Sequence, residues 1–284
     1  MKASIREVIR RALAEDIGTG DVTTRALVPT GARATAEIVS RVPGVVCGQE
    51  IAREVFRQVD ARVRYHALVR DGCRVADGTR VARIEGPARA LLTGERTALN
   101  FLQQLGGIAS LTACFVERAG PKVRVLDTRK TTPGLRELQK FAVRCGGGAN
   151  HRIGLFDRVL IKDNHRSFWA GHSGATLADA VRAARRKYPK LVIEIEVDSP
   201  EELRDALEGQ PDWVLLDNMP PARLRECVRI NRGRACLEAS GGITLSTIAR
   251  IAATGVDAVS VGALTHSAPA CDLSMEFMDH ASRG

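Results

Sequence analysis

The sequence predicts an α/β fold in which an N-terminal α/β domain precedes a sheet of parallel strands. Three observations carry that expectation. Past residue 123, short β-branched runs alternate with amphipathic helical stretches, as in a parallel sheet with crossover helices. Each of those apolar runs ends on a polar residue or a glycine, and in barrels of this kind the working groups sit at the C-terminal strand ends. Finally, Gly106 and Gly107 interrupt a helical stretch, where glycine is costly, so a domain boundary is expected there.

Taken in order, Ile5, Val8, Ile9 and Leu13 form one stripe of a first helix, which Gly18 and Gly20 end. Asp21, Val22, Thr23 and Thr24 read as a polar turn. Residues 32–42 predict a strand stopped by Pro43 and Gly44, residues 49–59 a helix, and residues 63–67 a short strand. Residues 71–86, DGCRVADGTRVARIEG, place two Asp-Gly turns between β-prone pieces. The stretch is similar to the turns of biotinyl and lipoyl carrier domains, but no lysine stands at a hairpin tip, so packed structural strands are the reading. Residues 88–105 form a helix with Leu91, Leu92, Ala98, Leu99 and Leu102 on its apolar side. A second helical piece follows the glycine pair and runs to about Val116.

In the second half the apolar runs are residues 123–126, 159–161, 191–197, 213–216, 235–237 and 258–261. Helical stretches lie near 134–144, 176–187, 200–207, 220–230 and 244–253. A complete eight-fold barrel takes about 250 residues, more than this half offers. The pattern therefore leaves an incomplete barrel, a barrel with hidden strands, and a doubly wound open sheet all standing. Residues 265–284 hold no further strand-helix unit.

Composition narrows the function. With 284 residues and 44% hydrophobic residues, the chain can bury a large core. The net charge of +9 suits an anionic partner, yet aromatics are only 4% and the charge forms no tail, which argues against nucleic acid. Seven cysteines stand singly without a CxxC pair, against a zinc site or a disulfide framework and for a reducing compartment. No apolar run approaches the roughly 20 residues that span a bilayer, and the charged N-terminus has no signal-peptide core. A cytoplasmic protein without membrane partners is expected.

Chemistry concentrates in residues 127–165, where eight Lys and Arg face four acids. Arg136, Lys140 and Arg144 recur at helical spacing and are expected on the solvent face of one helix. Arg129, Lys130, Arg152 and Lys162 instead fall at strand ends or in a glycine-rich loop, where guanidinium forks suit carboxylate or phosphate. Glu196 in IEIEVD and Asp217 in VLLDN also end strands; they could hold Mg²⁺ or simply pair with rim cations. Glu194 shares a strand face with Glu196, so periodicity alone does not choose between them. EASGGIT, with Ser240, Gly241 and Gly242, reads as a phosphate loop running into a helix, and VSVGAL, with Val261, Gly262 and Ala263, supplies a second. No GxxxxGK(S/T) loop is present, and GGGAN lacks the order of a dinucleotide site. His151 follows that glycine run and reads as a helix-end residue or as a donor to a bound carboxylate, and His165 lies beyond a strand end. Lys162 could form a Schiff base, but cationic neighbours favour anion holding.

GERTALNFLQQLGGIAS, DTRKTTPGLR, GGGANHRIGLFDRVLIKDNH, EIEVDS, LLDN and EASGGIT occur in that order. On these motifs the chain resembles the quinolinate phosphoribosyltransferase family, along nearly its whole length. The resemblance implies an N-terminal domain over residues 1–106, to which 265–284 returns, and an open, seven-stranded α/β barrel over 107–264. It implies transfer of phosphoribose from phosphoribosyl pyrophosphate to quinolinate with decarboxylation, Mg²⁺ as cofactor, and a homodimer or assembly of dimers with shared active sites. By motif position, Thr128, Arg129, His151 and Arg152 would hold the quinolinate carboxylates, with Lys162 nearby. Lys130 and Lys162 would meet the pyrophosphate, and Glu196 and Asp217 would serve the ribose and the metal. Ser240, Gly241, Gly242, Val261, Gly262 and Ala263 would cradle the 5′-phosphate, and Arg96 would reach the partner's site. A nicotinate-specific relative, a paralogue linked to molybdenum uptake, and a non-catalytic anion-binding protein are the alternatives.

Overall fold

The computed structural model describes residues 1–170 and 175–278. The chain begins α1 (Ala3–Ile17), α2 (Val22–Leu27), β1 (Arg33–Ser40), β2 (Gly44–Val45), α3 (Gln49–Val59), β3 (Arg64–Ala67), β4 (Arg74–Val75), β5 (Arg80–Pro87) and α4 (Ala88–Ala119). It continues β6 (Arg124–Leu126), α5 (Arg136–Cys145), β7 (Val159–Ile161), α6 (Asp163–Ala170), α7 (Leu177–Lys187), β8 (Ile193–Val197) and α8 (Pro200–Glu208). It closes with β9 (Trp213–Asp217), α9 (Pro221–Asn231), β10 (Cys236–Ser240), α10 (Ile248–Ala252), β11 (Ala258–Ser260), α11 (Ala263–His266) and β12 (Leu273–Phe277). Two compact units result: Met1–Ala113 with Thr132–Gly147 and Ser267–Gly284, and Cys114–Thr131 with Gly148–His266.

The first unit carries an antiparallel sheet in the order β12-β1-β5-β3. β12 pairs with β1 from Ser40↔Leu273 to Ala36↔Phe277; residues 279–284 of the tail lie outside the described residues. Two expectations are corrected here. The polar stretch after Gly20 is helical, because the Asp21 carboxylate accepts the Thr24 amide at 2.9 Å and caps α2. α4 runs unbroken for 32 residues through both glycines. A Cβ on Gly107 would run into the Pro269 carbonyl oxygen, so glycine there lets residues 269–270 lie against the helix backbone. α4 is also the one described helix long and apolar enough for a bilayer, but 56% of its apolar window is buried inside the fold, as in a core helix. Lys140 of α5 departs from its expected solvent face as well: it is 1% exposed.

The second unit is an open α/β barrel. Six parallel strands run β6-β11-β10-β9-β8-β7, and an isolated parallel bridge, Leu126↔Ala149, extends the sheet beyond β6. The seventh strand implied by the resemblance is thus reduced to one bridged residue. Side-chain alternation explains the sequence of β8: Ile193, Ile195 and Val197 turn outward under α7 and α8, and Glu194 and Glu196 turn into the barrel. Register stacks the inward residues in layers. Trp213, Leu126 and Ala258 form an apolar floor. Glu194 pairs with Trp213, Glu196 and Glu238 each pair with Leu215, and Asp217 pairs with Ser240 at the C-terminal rim.

Candidate active site

The rim encloses a cavity of about 630 Å³. After β6, the Thr128 hydroxyl accepts the Lys130 amide at 3.0 Å, and the Thr265 hydroxyl donates to the Lys130 carbonyl at 2.7 Å. This pins the loop that carries Arg129 and Lys130. At the end of β7, Lys162 donates to Glu196 Oε2 at 3.0 Å. The His165 ring takes the Lys162 amide at 3.0 Å, which makes His165 a cap for α6, a helix the sequence pattern did not reveal.

Two rim glycines approach their neighbours closely, and the first has a backbone that calls for glycine. Gly241 has φ +97°, and a Cβ there would lie 3.0 Å from Asn218 Cα and collide with the Asn218 amide. A Cβ on Gly262 would approach Lys130 Cδ to 3.2 Å and His266 Nε2 to 3.1 Å. The helix expected directly after the first loop starts later: residues 243–247 form turns before α10, so the loop's own backbone lines the cavity.

Of the residues expected at the site, Thr128, Arg129, Lys130, His151, Arg152 and Lys162 all line this cavity. So do Glu196, Asp217, the Ser240 loop and the Val261 loop. Arg96 does not: it is exposed on α4 in the first unit.

Two family models match the chain in succession. Residues 21–106 match the N-terminal domain of quinolinate phosphoribosyl transferase and residues 108–276 its C-terminal domain. The chain belongs to the quinolinate phosphoribosyl transferase family. It is 45% identical over 279 residues to a nicotinate-nucleotide pyrophosphorylase (carboxylating) of Mycobacterium leprae, covering 96% of each chain. A mitochondrial quinolinate phosphoribosyltransferase (decarboxylating) of Nicotiana glauca is 38% identical over 96% of this chain and 82% of its own. The solved nicotinate-nucleotide pyrophosphorylase of Francisella tularensis superposes with a TM-score of 0.91 at 42% identity, covering 97% of this chain and 96% of that one.

The electrostatics of this family member are set by what lies beneath the rim. Burial raises the Glu196 pKa, and Lys162 opposes the shift without cancelling it. Burial and then the neighbouring Arg129 lower that of Arg152, which remains a cation. His151 is 8% exposed, and both its ring nitrogens are engaged. Nδ1 accepts the Arg152 amide at 2.8 Å, and Nε2 lies 3.0 Å from Glu194 Oε2 and 3.5 Å from Glu238 Oε2. The His151 amide is itself anchored on the fully buried Asp127 carboxylate at 2.9 Å.

The ligand-type atoms of His151, Glu194 and Glu238 lie within 4.8 Å of one another, a grouping of a kind that can bind a metal ion. The Arg158 guanidinium, 3.1 Å from Glu194, already supplies positive charge there. Glu238, Asn218 and His266 also line the cavity without having been expected there, and Glu194, weighed beside Glu196, stands outside the lining with Arg158. The two glutamates were within reach, since they share strand faces with Glu196 and Ser240. Asn218 and His266 lie beyond the strand ends, where no periodicity points.

Proposed function

We propose that the chain is a pentosyltransferase that transfers phosphoribose from phosphoribosyl pyrophosphate to the ring nitrogen of quinolinate, releasing pyrophosphate and CO₂ and giving nicotinate mononucleotide for NAD biosynthesis. The observation that carries this reading is a single cavity joining paired guanidinium groups, rim carboxylates and glycine loops, in a chain of this family.

In this reading Thr128, Arg129 and Arg152 hold the two carboxylates of quinolinate, with His151 and Lys162 beside them. The arginine forks fix the ring so that its nitrogen meets C1 of the ribose. Ser240, Gly241, Gly242, Val261, Gly262 and Ala263 cradle the 5′-phosphate, supported by the positive φ of Gly241 and Gly242 and the close approach of Gly241 to the Asn218 backbone. Lys130 and Lys162 face the pyrophosphate as it leaves. Glu196 and Asp217 are hard oxygen donors at adjacent strand ends and so fit Mg²⁺. When bound, that ion offsets the charge growing on the leaving group. Once bonded to C1, the pyridine ring is positively charged. It accepts the electron pair of the C2–carboxylate bond, CO₂ departs, and C2 takes a proton.

The reading includes a homodimer, or an assembly of dimers, in which Arg96 serves the partner's site; its support is the exposure of Arg96 outside the unit that holds the cavity. It also divides the chain into a domain of residues 1–106, joined by 265–284, and a catalytic domain of 107–264, supported by the junction of the family models. A cytoplasmic setting is supported by seven free cysteines.

Incubation with quinolinate, phosphoribosyl pyrophosphate and Mg²⁺ is expected to yield nicotinate mononucleotide and CO₂, with nicotinate a poor substitute. Turnover of nicotinate with none of quinolinate would overturn the reading.

A further inference from the structure

Beneath the cavity a line of polar contacts runs up the barrel interior. Trp213 of the floor is covered by two guanidinium groups, Arg124 at 4.8 Å and Arg158 at 5.2 Å from its ring centre. Such stacking, worth more when desolvated, fixes Arg158. Arg158 in turn holds Glu194 Oε2 at 3.1 Å, and its carbonyl accepts from the Arg152 guanidinium at 3.3 Å. Glu194 has no exposed surface, and the oxygen that meets Arg158 also meets His151 Nε2. His151 Nδ1 then accepts the Arg152 amide. An imidazole that accepts at Nδ1 carries its proton on Nε2, the nitrogen that faces Glu194. Thus Glu194 sets both the tautomer and the ring plane of His151, and the ring sets the backbone at Arg152.

We propose that Glu194, braced by Arg158, is a positioning residue for quinolinate: it acts through His151 to aim the Arg152 guanidinium, and touches no substrate itself. The inference rests on the reading of this cavity as the quinolinate site. Two further observations favour it. Glu194 Oε2 accepts from both sides, from His151 Nε2 and from the Arg158 guanidinium. Without a partner above it, a buried carboxylate at this depth would be costly, so the chain from Arg158 to His151 is one unit.

The test is steady-state kinetics with quinolinate and phosphoribosyl pyrophosphate on the full-length protein. Absence of wild-type turnover would sink the functional reading; with turnover present, the outcomes below bear on Glu194 alone. Glu194→Ala is expected to raise the quinolinate KM about fivefold or more, the size of one lost buried hydrogen bond, and to leave the phosphoribosyl pyrophosphate KM within about twofold. Glu194→Gln, which still accepts from His151, is expected to restore the quinolinate KM to within about twofold of wild type. In an Arg152→Ala background, Glu194→Ala should add less than about twofold, since one residue acts through the other. Glu194→Asp keeps the charge for Arg158 but withdraws the carboxylate by about 1.5 Å, one C–C bond, and carries the same test should the alanine variant not fold. Additive effects of Glu194 and Arg152, or equal rises in both KM values, would overturn the proposal.

Discussion

Glu238 shows how far one side chain can be forced from its solution behaviour. It has no exposed surface, and neither of its oxygens finds a hydrogen-bond partner of good geometry among the described residues. Burial, then the charge of Glu194, raise its pKa well above the usual carboxylate range. The fold therefore prefers the protonated acid. The stability this contributes is complete below the unfolded pKa and is gone once the pH has risen through the folded value, at up to about 1.4 kcal/mol per pH unit in between. Glu238→Gln keeps the shape and has no proton to lose. Its melting temperature relative to wild type is expected to climb as the pH rises above the usual carboxylate range. A difference independent of pH would mean that the site already holds an ionised carboxylate.

At the scale of elements, α4 sets backbone packing against helix propensity. Propensity alone would favour Gly107→Ala by about 1 kcal/mol. Packing opposes it: the added methyl would meet the Pro269 carbonyl carbon at 2.9 Å and Ala270 Cα at 3.1 Å, backbone atoms that cannot rotate away. Gly107→Ala is therefore expected to destabilise by about 1–3 kcal/mol, seen as a lowered denaturant midpoint. A raised midpoint would show that residues 269–270 yield easily. The same logic explains the rim, where Gly241 carries its positive φ so that the loop after β10 can lie against Asn218.

For the whole molecule the decisive residue is Arg96. It is exposed on α4, distant in sequence from every barrel strand end, and the proposed two-fold dimer would give it a route to a partner's cavity. Arg96→Ala and Lys130→Ala are each expected to be nearly inactive alone. Mixed and allowed to exchange subunits, they should recover about a quarter of wild-type sites. Random exchange makes half the dimers mixed, and each mixed dimer has one site with both lesions and one with neither. Demonstrated exchange without recovered activity would return Arg96 to its own chain.

Sequence by itself determined the barrel strands and the rim. All six parallel strands stand where β-branched runs predicted, because a barrel strand must be apolar on the outer face that its helices cover. The rim residues were legible for a related reason: a Lys, Asp or Gly that stops an apolar run marks a strand end, and a parallel sheet gathers those ends on one side. Tertiary structure decided what the strand interiors do. Glu194 and Glu196 are two residues apart on one face, yet one is buried against His151 and Arg158 and the other meets Lys162 in the cavity. That difference depends on depth within the barrel, which local period does not encode. The continuity of α4, the capping of α2 by Asp21 and the burial of Lys140 were hidden likewise, since each depends on surroundings that helical spacing alone does not reveal.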